Sequence, residues 1–237
     1  LIPATVSPPR FQAVLFHGVV RNALELETVA AWMQEMGGEC LLVENRNHGF
    51  SDRHPATFGL KESKDVESAV RWMRSRDQAA KERPLILMGI SLGTANVMLA
   101  APKIPRLAGL ILHAPLADLG ATLVRTVRDR VGLVPPWPSL IRTSMEMWGG
   151  FSVDDVRPGD SLEDLAAETA VLLIAEEEDL RMPPETVAQL YERLPQGDLG
   201  RKLWVAPGVR HSRAFLDRPK DYRELVSWLV ERSLTGA

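Results

Sequence analysis

The stretch Gly89-Ile90-Ser91-Leu92-Gly93 sets a serine between glycines two positions away on either side. It follows the apolar run from Leu85 to Met88 and precedes a helix-forming run from Thr94 to Ala101. A serine on a sharp strand-to-helix turn has its Oγ pushed outward, and glycines let the backbone segments pass closely. Such a hydroxyl attacks an acyl carbon when an imidazole takes its proton and a carboxylate orients that imidazole. The plainer alternative is a turn whose serine only caps the next helix.

Two of the five histidines come after Ser91. His211 is preferred as the base, because it sits in "PGVRHSRAF" beyond the last strand-like run, in a loop that can swing an imidazole across a crevice. His113 ends another such run and is read as a hydrogen-bonded residue in the crevice floor. For the acid, "LLIAEEEDLRMPPE" offers Glu176, Glu177, Glu178 and Asp179, and spacing does not choose among them. Asp179 is preferred, since "LRMPP" then returns the chain to the next helix, with Glu178 second. The three glutamates are expected to form a solvated acidic turn. An oxyanion needs two N–H donors. Leu92 supplies one, and the turn at His17-Gly18 presents that of Val19, with His17 bonded to hold the loop. His54 is expected in an exposed loop.

Positioning these groups requires a scaffold, and the hydrophobic pattern supplies one. Apolar runs at 13–16, 40–43, 85–88, 107–112, 170–175 and 202–206 are nearly continuous, as strands covered on both faces should be. Helix-period segments lie between them, at 22–36 (Leu26, Val29, Ala30, Met33, Met36) and 62–74 (Val66, Ala69, Val70, Met73). Pro184 suits a first helical turn, and a terminal helix is expected to pack through Leu225, Trp228 and Leu229. This alternation predicts an α/β fold, a parallel sheet of about six strands with helices on both faces. Ligands of such sheets bind outside the carboxyl ends of the strands, where all the candidate groups fall.

From Asp118 to Glu168 no strand is evident, only helix-like pieces around the corner "VPPWP". That span is predicted to be a helical cap, residues 118–168, inserted in a core of residues 1–117 and 169–237. Its Leu133, Val134, Trp137, Met145, Met147, Trp148 and Phe151 could wall an acyl pocket or pin the insertion to the body. Trp137, Met145 and Trp148 are the candidate substrate contacts.

The 237 residues are 45% hydrophobic and 25% charged with a net charge of -3, an ordinary globular composition that points away from nucleic acid. The lone Cys40, inside "CLLV", is expected to be a buried, inert thiol. No Cys/His set has structural-zinc spacing, and no metal site is expected. No run is long enough to span a bilayer. A cytoplasmic setting is favoured, with an upstream signal or anchor before Leu1 left open, and the oligomeric state is open too.

Taken together these segments resemble the α/β-hydrolase superfamily. "VLFHG" is similar to its His-Gly oxyanion loop, and "LVENRNHGFSD" to its Asp-x-Arg-Gly-His-Gly-x-Ser block. "FGLKESKDVESAVRWM", "LMGISLGTANVMLAA", "LILHAPLADL", "VLLIAEEEDLRMPP" and "PGVRHS" follow in family order, nearest the esterase, lipase and serine-aminopeptidase-like group. The resemblance implies Ser91 as nucleophile, Asp179 as acid, His211 as base, Val19 and Leu92 as oxyanion donors, and no cofactor. Departures are Glu44 for aspartate, Asn47 for glycine and Glu176 for the glycine before the acid. Two initial strands of the family are missing, "LIPATV" being a possible tail of the second. The expected activity is hydrolysis of short-to-medium acyl esters through an acyl-serine. A peptidase, thioesterase or acyltransferase using the same groups, or a catalytically silent binding module, are the alternatives.

Overall fold

The computed structural model describes residues 1–131, 136–197 and 199–236. Six strands, β1 (Phe11–Phe16), β2 (Gly38–Val43), β3 (Leu85–Ile90), β4 (Leu107–His113), β5 (Ala170–Glu176) and β6 (Arg201–Ala206), form one sheet in the order β2-β1-β3-β4-β5-β6. Every pairing is parallel. Each strand contains one of the six apolar runs. Ahead of β1, Ile2 of the stretch "LIPATV" makes a two-bond antiparallel bridge to Cys40.

Among the described residues, eight α-helices lie between or after the strands: α1 (Glu27–Glu35), α2 (Glu62–Arg74), α3 (Leu92–Ala100), α4 (Leu119–Val131), α5 (Trp137–Gly149), α6 (Pro184–Arg193), α7 (Ala214–Asp217) and α8 (Pro219–Thr235). Strand side chains alternate between two cores, because successive Cβ atoms point to opposite faces. Ala13, Leu15, Ile86, Met88, Ile111 and Ile174 pack with α1 and α8 on one face. Val14, Phe16, Leu87, Leu110, Leu112 and Leu173 pack with α2, α3 and α6 on the other.

The terminal helix packs on the core with Leu229 buried and Leu225 and Trp228 against it as expected, but its most buried stripe includes positions the sequence reading did not name. Its buried positions are Tyr222, Val226, Leu229, Val230 and Ser233, while Leu225 and Trp228 are only partly covered. Cys40 is fully buried, and burial pushes its thiol up to about 12.

Between β4 and β5 lie α4, α5 and two short 3₁₀ segments, Val153–Asp155 and Pro158–Asp164, with no strand among the described residues. This region joins the body through Leu119, Val153 and Val156, which pack on Ala95, Ala114, Leu116 and Met182. α5 buries none of its residues. Among the described residues, no helix is long and apolar enough to cross a membrane.

The strand order reverses beside β1, which lies between β2 and β3. Chains leaving β1 and β3 there diverge to opposite faces, opening a crevice at their carboxyl ends. Gly18 to Val20 leave β1 at this point, and Ser91 leaves β3.

Candidate active site

Ser91 joins β3 to α3 with φ 52° and ψ −116°, a conformation foreign to a residue with a side chain. Holding it costs about 1–3 kcal/mol, which the surrounding structure must offset. The Ser91 N–H donates to the His113 carbonyl at 2.9 Å, and the Thr94 N–H returns to the Ser91 carbonyl at 2.9 Å. Both flanking glycines are required sterically. A Cβ on Gly89 would sit 2.5 Å from the Gly93 carbonyl, and one on Gly93 would overlap the Phe16 carbonyl oxygen of β1.

The turn aims the Ser91 hydroxyl at His211, 2.9 Å from its Nε2. His211 reaches it from the loop between β6 and α7, and its Nδ1 lies 2.5 Å from Asp179 Oδ2. Asp179 is almost fully buried, and its other oxygen accepts the N–H groups of Arg181 (3.0 Å) and Met182 (3.1 Å). Burial alone raises its pKa. The hydrogen bond and charge of His211, with the two amides, outweigh that and hold the carboxyl below its ordinary value. Serine, imidazole and carboxylate thus form one hydrogen-bonded line from three distant parts of the chain. Glu178 stands apart, paired with Arg210 at the exposed rim.

The loop after β1 is fastened on both sides of Val19. The Gly18 N–H donates to Glu25 Oε2 at 2.9 Å, and the Val20 N–H donates to His48 Nε2 at 3.1 Å. His48 Nδ1 faces the Arg46 carbonyl at 2.9 Å, so the neutral ring donates there and accepts from Val20. His17 is fully buried, with Nδ1 2.7 Å from the Gly18 carbonyl and Nε2 accepting the Asn45 N–H at 3.0 Å. It holds the loop, as the sequence led one to expect. Among the described residues the Val19 N–H has no hydrogen-bond partner. Leu92 opens α3, where an α-helix leaves its N–H groups unpaired. Asn47 adopts the left-handed backbone (φ 66°) that suits it to a glycine position.

Glu176 is not part of the solvated turn expected but is fully buried. Its carboxylate accepts the N–H groups of Ser212 (2.6 Å), Arg213 (2.6 Å) and Ala214 (3.0 Å) and lies 2.9 Å from His113 Nε2. His113 is the buried floor residue anticipated, with Tyr222 Oη 3.2 Å from its Nδ1. Glu25, His48 and Glu176 are the participants that sequence reasoning did not assign. Only the departure of Glu176 from the glycine pattern hinted at any of them.

Around Ser91 and His211 opens a cavity of about 1460 Å³ bordered by Val19, Val20, Glu25, Asp129, Leu180 and Arg181, among others. Among the described residues, Trp137, Met145 and Trp148 do not line it. Met145 packs against the cluster of Leu119, Val153, Val156 and their neighbours, and Trp148 is 89% exposed. Leu133 and Val134 lie outside the described residues. Glu176, Asp179 and His211 bring potential metal-ligand atoms within 4.8 Å of one another, yet each is committed to the hydrogen bonds above.

Known proteins place this geometry in context. A family model described as serine aminopeptidase, S33, matches residues 7–147, more than half of the chain. The uncharacterized protein YqkD of Bacillus subtilis is 24% identical over 223 residues, covering 92% of this chain and 70% of YqkD. Polyketide transferase ATR5 of Stachybotrys chlorohalonatus is 33% identical over 124 residues, 48% of this chain and 41% of its own length. The chain therefore spans less than half of that relative. Among solved structures, the Pyrococcus furiosus esterase Pf2001 superposes with a TM-score of 0.79 at 19% identity, covering 95% of this chain and 83% of the esterase. At that identity the likeness speaks for the fold.

Proposed function

The chain belongs to the serine aminopeptidase S33 family of α/β hydrolases, and from that membership we propose that it is a serine hydrolase cleaving carboxylic esters through an acyl-serine intermediate. The observation that carries the proposal is the line from Ser91 through His211 to Asp179, with contacts of 2.9 and 2.5 Å. In this reading His211 takes the Ser91 proton as Oγ attacks the acyl carbon, and Asp179 stabilises the imidazolium. The tetrahedral oxyanion rests on the Val19 and Leu92 amides, each supplying about 3–4 kcal/mol of transition-state stabilisation. His211 then protonates the leaving alkoxide, and water activated by the same imidazole releases the acid.

Residues 118–168 act in this proposal as a cap, supported by Asp129 of α4 lining the cavity. Short-to-medium acyl groups fit an entrance whose wall includes Arg21, Glu25, Asp129, Arg181 and Arg210, because long aliphatic chains gain little beside charges. A second reading has one observation in its favour, the match to a polyketide transferase over about half the chain: the acyl group passes to an acceptor other than water. The test is Ser91→Ala, for which we expect no p-nitrophenyl butyrate hydrolysis and no fluorophosphonate labelling, with an unchanged circular dichroism spectrum. Activity surviving in that variant refutes the proposal. Product analysis with added alcohols separates hydrolysis from transfer.

A further inference from the structure

His211 faces a second buried carboxylate besides its hydrogen-bonded partner. Glu176 closes β5, and its carboxylate brings an oxygen within 4.8 Å of a His211 ring nitrogen. The same carboxylate gathers three consecutive amides, Ser212, Arg213 and Ala214, immediately after the histidine. Ser212 is held at φ 60°, and its buried hydroxyl has no hydrogen-bond partner. Neither feature is favourable by itself. The segment keeps that shape because Glu176 collects its N–H groups.

Behind Glu176 stands a line of its own. His113 Nε2 meets the carboxylate at 2.9 Å, and Tyr222 meets His113 Nδ1 at 3.2 Å. All three side chains are fully buried. A hydroxyl, an imidazole and a carboxylate therefore repeat, inside the core, the sequence of groups that ends at Ser91. Burial alone would raise the Glu176 pKa, but His113 and the Ser212 and Ala214 amides hold it below the ordinary value. The carboxylate is thus charged at neutral pH.

We propose that Glu176 is a positioning residue for the base, fixing the loop that carries His211 and adding a second negative charge beside its imidazole. The inference rests on the hydrolase reading above. Its mechanism is twofold: the loop tether keeps Nε2 on the Ser91 hydroxyl, and the charge favours the imidazolium that forms as the proton moves.

The other charges facing His211 are accounted for. Asp179 touches it, and Arg210–Glu178 and Arg213–Asp217 are paired at the rim. Glu177 holds the Gly208 amide, Glu25 is paired with Arg21, and Asp129 and Arg181 line the same cavity. None of these groups is altered when Glu176 is replaced, so the difference reports Glu176 with its His113 partner.

The experiment compares wild type with Glu176→Gln and Glu176→Gly, using p-nitrophenyl butyrate across pH 5 to 9. Glutamine keeps the volume but sets an N–H₂ against backbone donors. Glycine, the residue of the family pattern at this place, leaves the amides to water. We expect kcat to fall roughly 10- to 100-fold with KM little changed. The acid limb of kcat/KM should move to lower pH by about one unit, because losing a nearby negative charge makes the imidazole easier to deprotonate. A folded variant with wild-type kcat and an unmoved acid limb overturns the inference. So does loss of the folded state in both variants, which would assign Glu176 to the scaffold alone. A wild-type enzyme that neither hydrolyses the ester nor reacts with fluorophosphonate overturns the hydrolase reading, and this inference with it.

Discussion

Asp179 has two different attachments, and they separate its roles. One oxygen binds His211 Nδ1 and the other is fixed by the Arg181 and Met182 amides. Asp179→Asn can retain an oxygen toward those amides while turning an N–H₂ toward the imidazole. The ring is then driven to the tautomer that protonates Nε2, which can no longer take the Ser91 proton. On the serine-protease precedent kcat should fall by about 10⁴-fold with the fold intact. A drop of less than tenfold in steady-state assays would mean another carboxylate orients the ring. Ser91, His211 and Asp179 could be singled out from sequence because each follows an apolar run and the order of types is informative. Glu176 could not, since a glutamate in "EEED" looks like a surface turn. What buries it is a loop 36 residues away whose amides converge on it, and that approach leaves no local signal.

The turn from β3 to α3 works only if β1, β3 and α3 nearly touch. Gly93 is the tightest point, where a Cβ would run into the Phe16 carbonyl, a backbone atom in a central strand that cannot step aside. Gly93→Ala should therefore cost about 3 kcal/mol or more, at the upper end of overpacking effects. A urea midpoint near that of wild type, with an equal slope, would contradict such close packing. The strands were legible for the same reason that they are central: burial on two faces makes their sequences nearly uniformly apolar. The most buried stripe of α8 was less so. Tyr222, Val226, Leu229 and Ser233 make one stripe at helical spacing, and Leu225, Trp228 and Leu229 make an overlapping one. Large apolar residues favour the second on paper. The first faces the sheet, with the polar Tyr222 hydroxyl matched to His113 within the core. Sequence alone cannot display a hydrogen-bond partner 109 positions distant.

Charge links these parts to the stability of the fold. The net charge of -3 at pH 7 turns strongly positive as the 31 carboxylates are protonated, and particular buried groups add their own pH dependence to that general repulsion. His17 is one such group. Burial lowers its pKa, ahead of an opposing hydrogen bond to the Gly18 carbonyl, so folding favours the neutral ring. Its contribution is complete above the unfolded value near 6.5 and declines as pH falls below it. Glu62, Glu176 and Asp179 form a second set. Burial raises each of them, but their hydrogen bonds and, for the latter two, the adjacent histidines prevail and leave all three below the ordinary carboxylate value. Their stabilisation is present above the unfolded values near 4 and is lost as pH drops through the lower folded ones. The melting temperature should therefore fall in two stages, gently below about pH 6.5 and steeply below about pH 4. Glu62 allows the second stage to be isolated away from the serine. Its carboxylate receives the Thr57 and Gly59 amides and the Thr57 hydroxyl ahead of α2. Glu62→Gln should destabilise the protein by about 1–3 kcal/mol at pH 7 through mismatched donors and flatten the steep acid stage, while leaving the gentle one in place. Calorimetry from pH 8 to 3 decides the matter: equal acid sensitivity in the two proteins would remove Glu62 from the set.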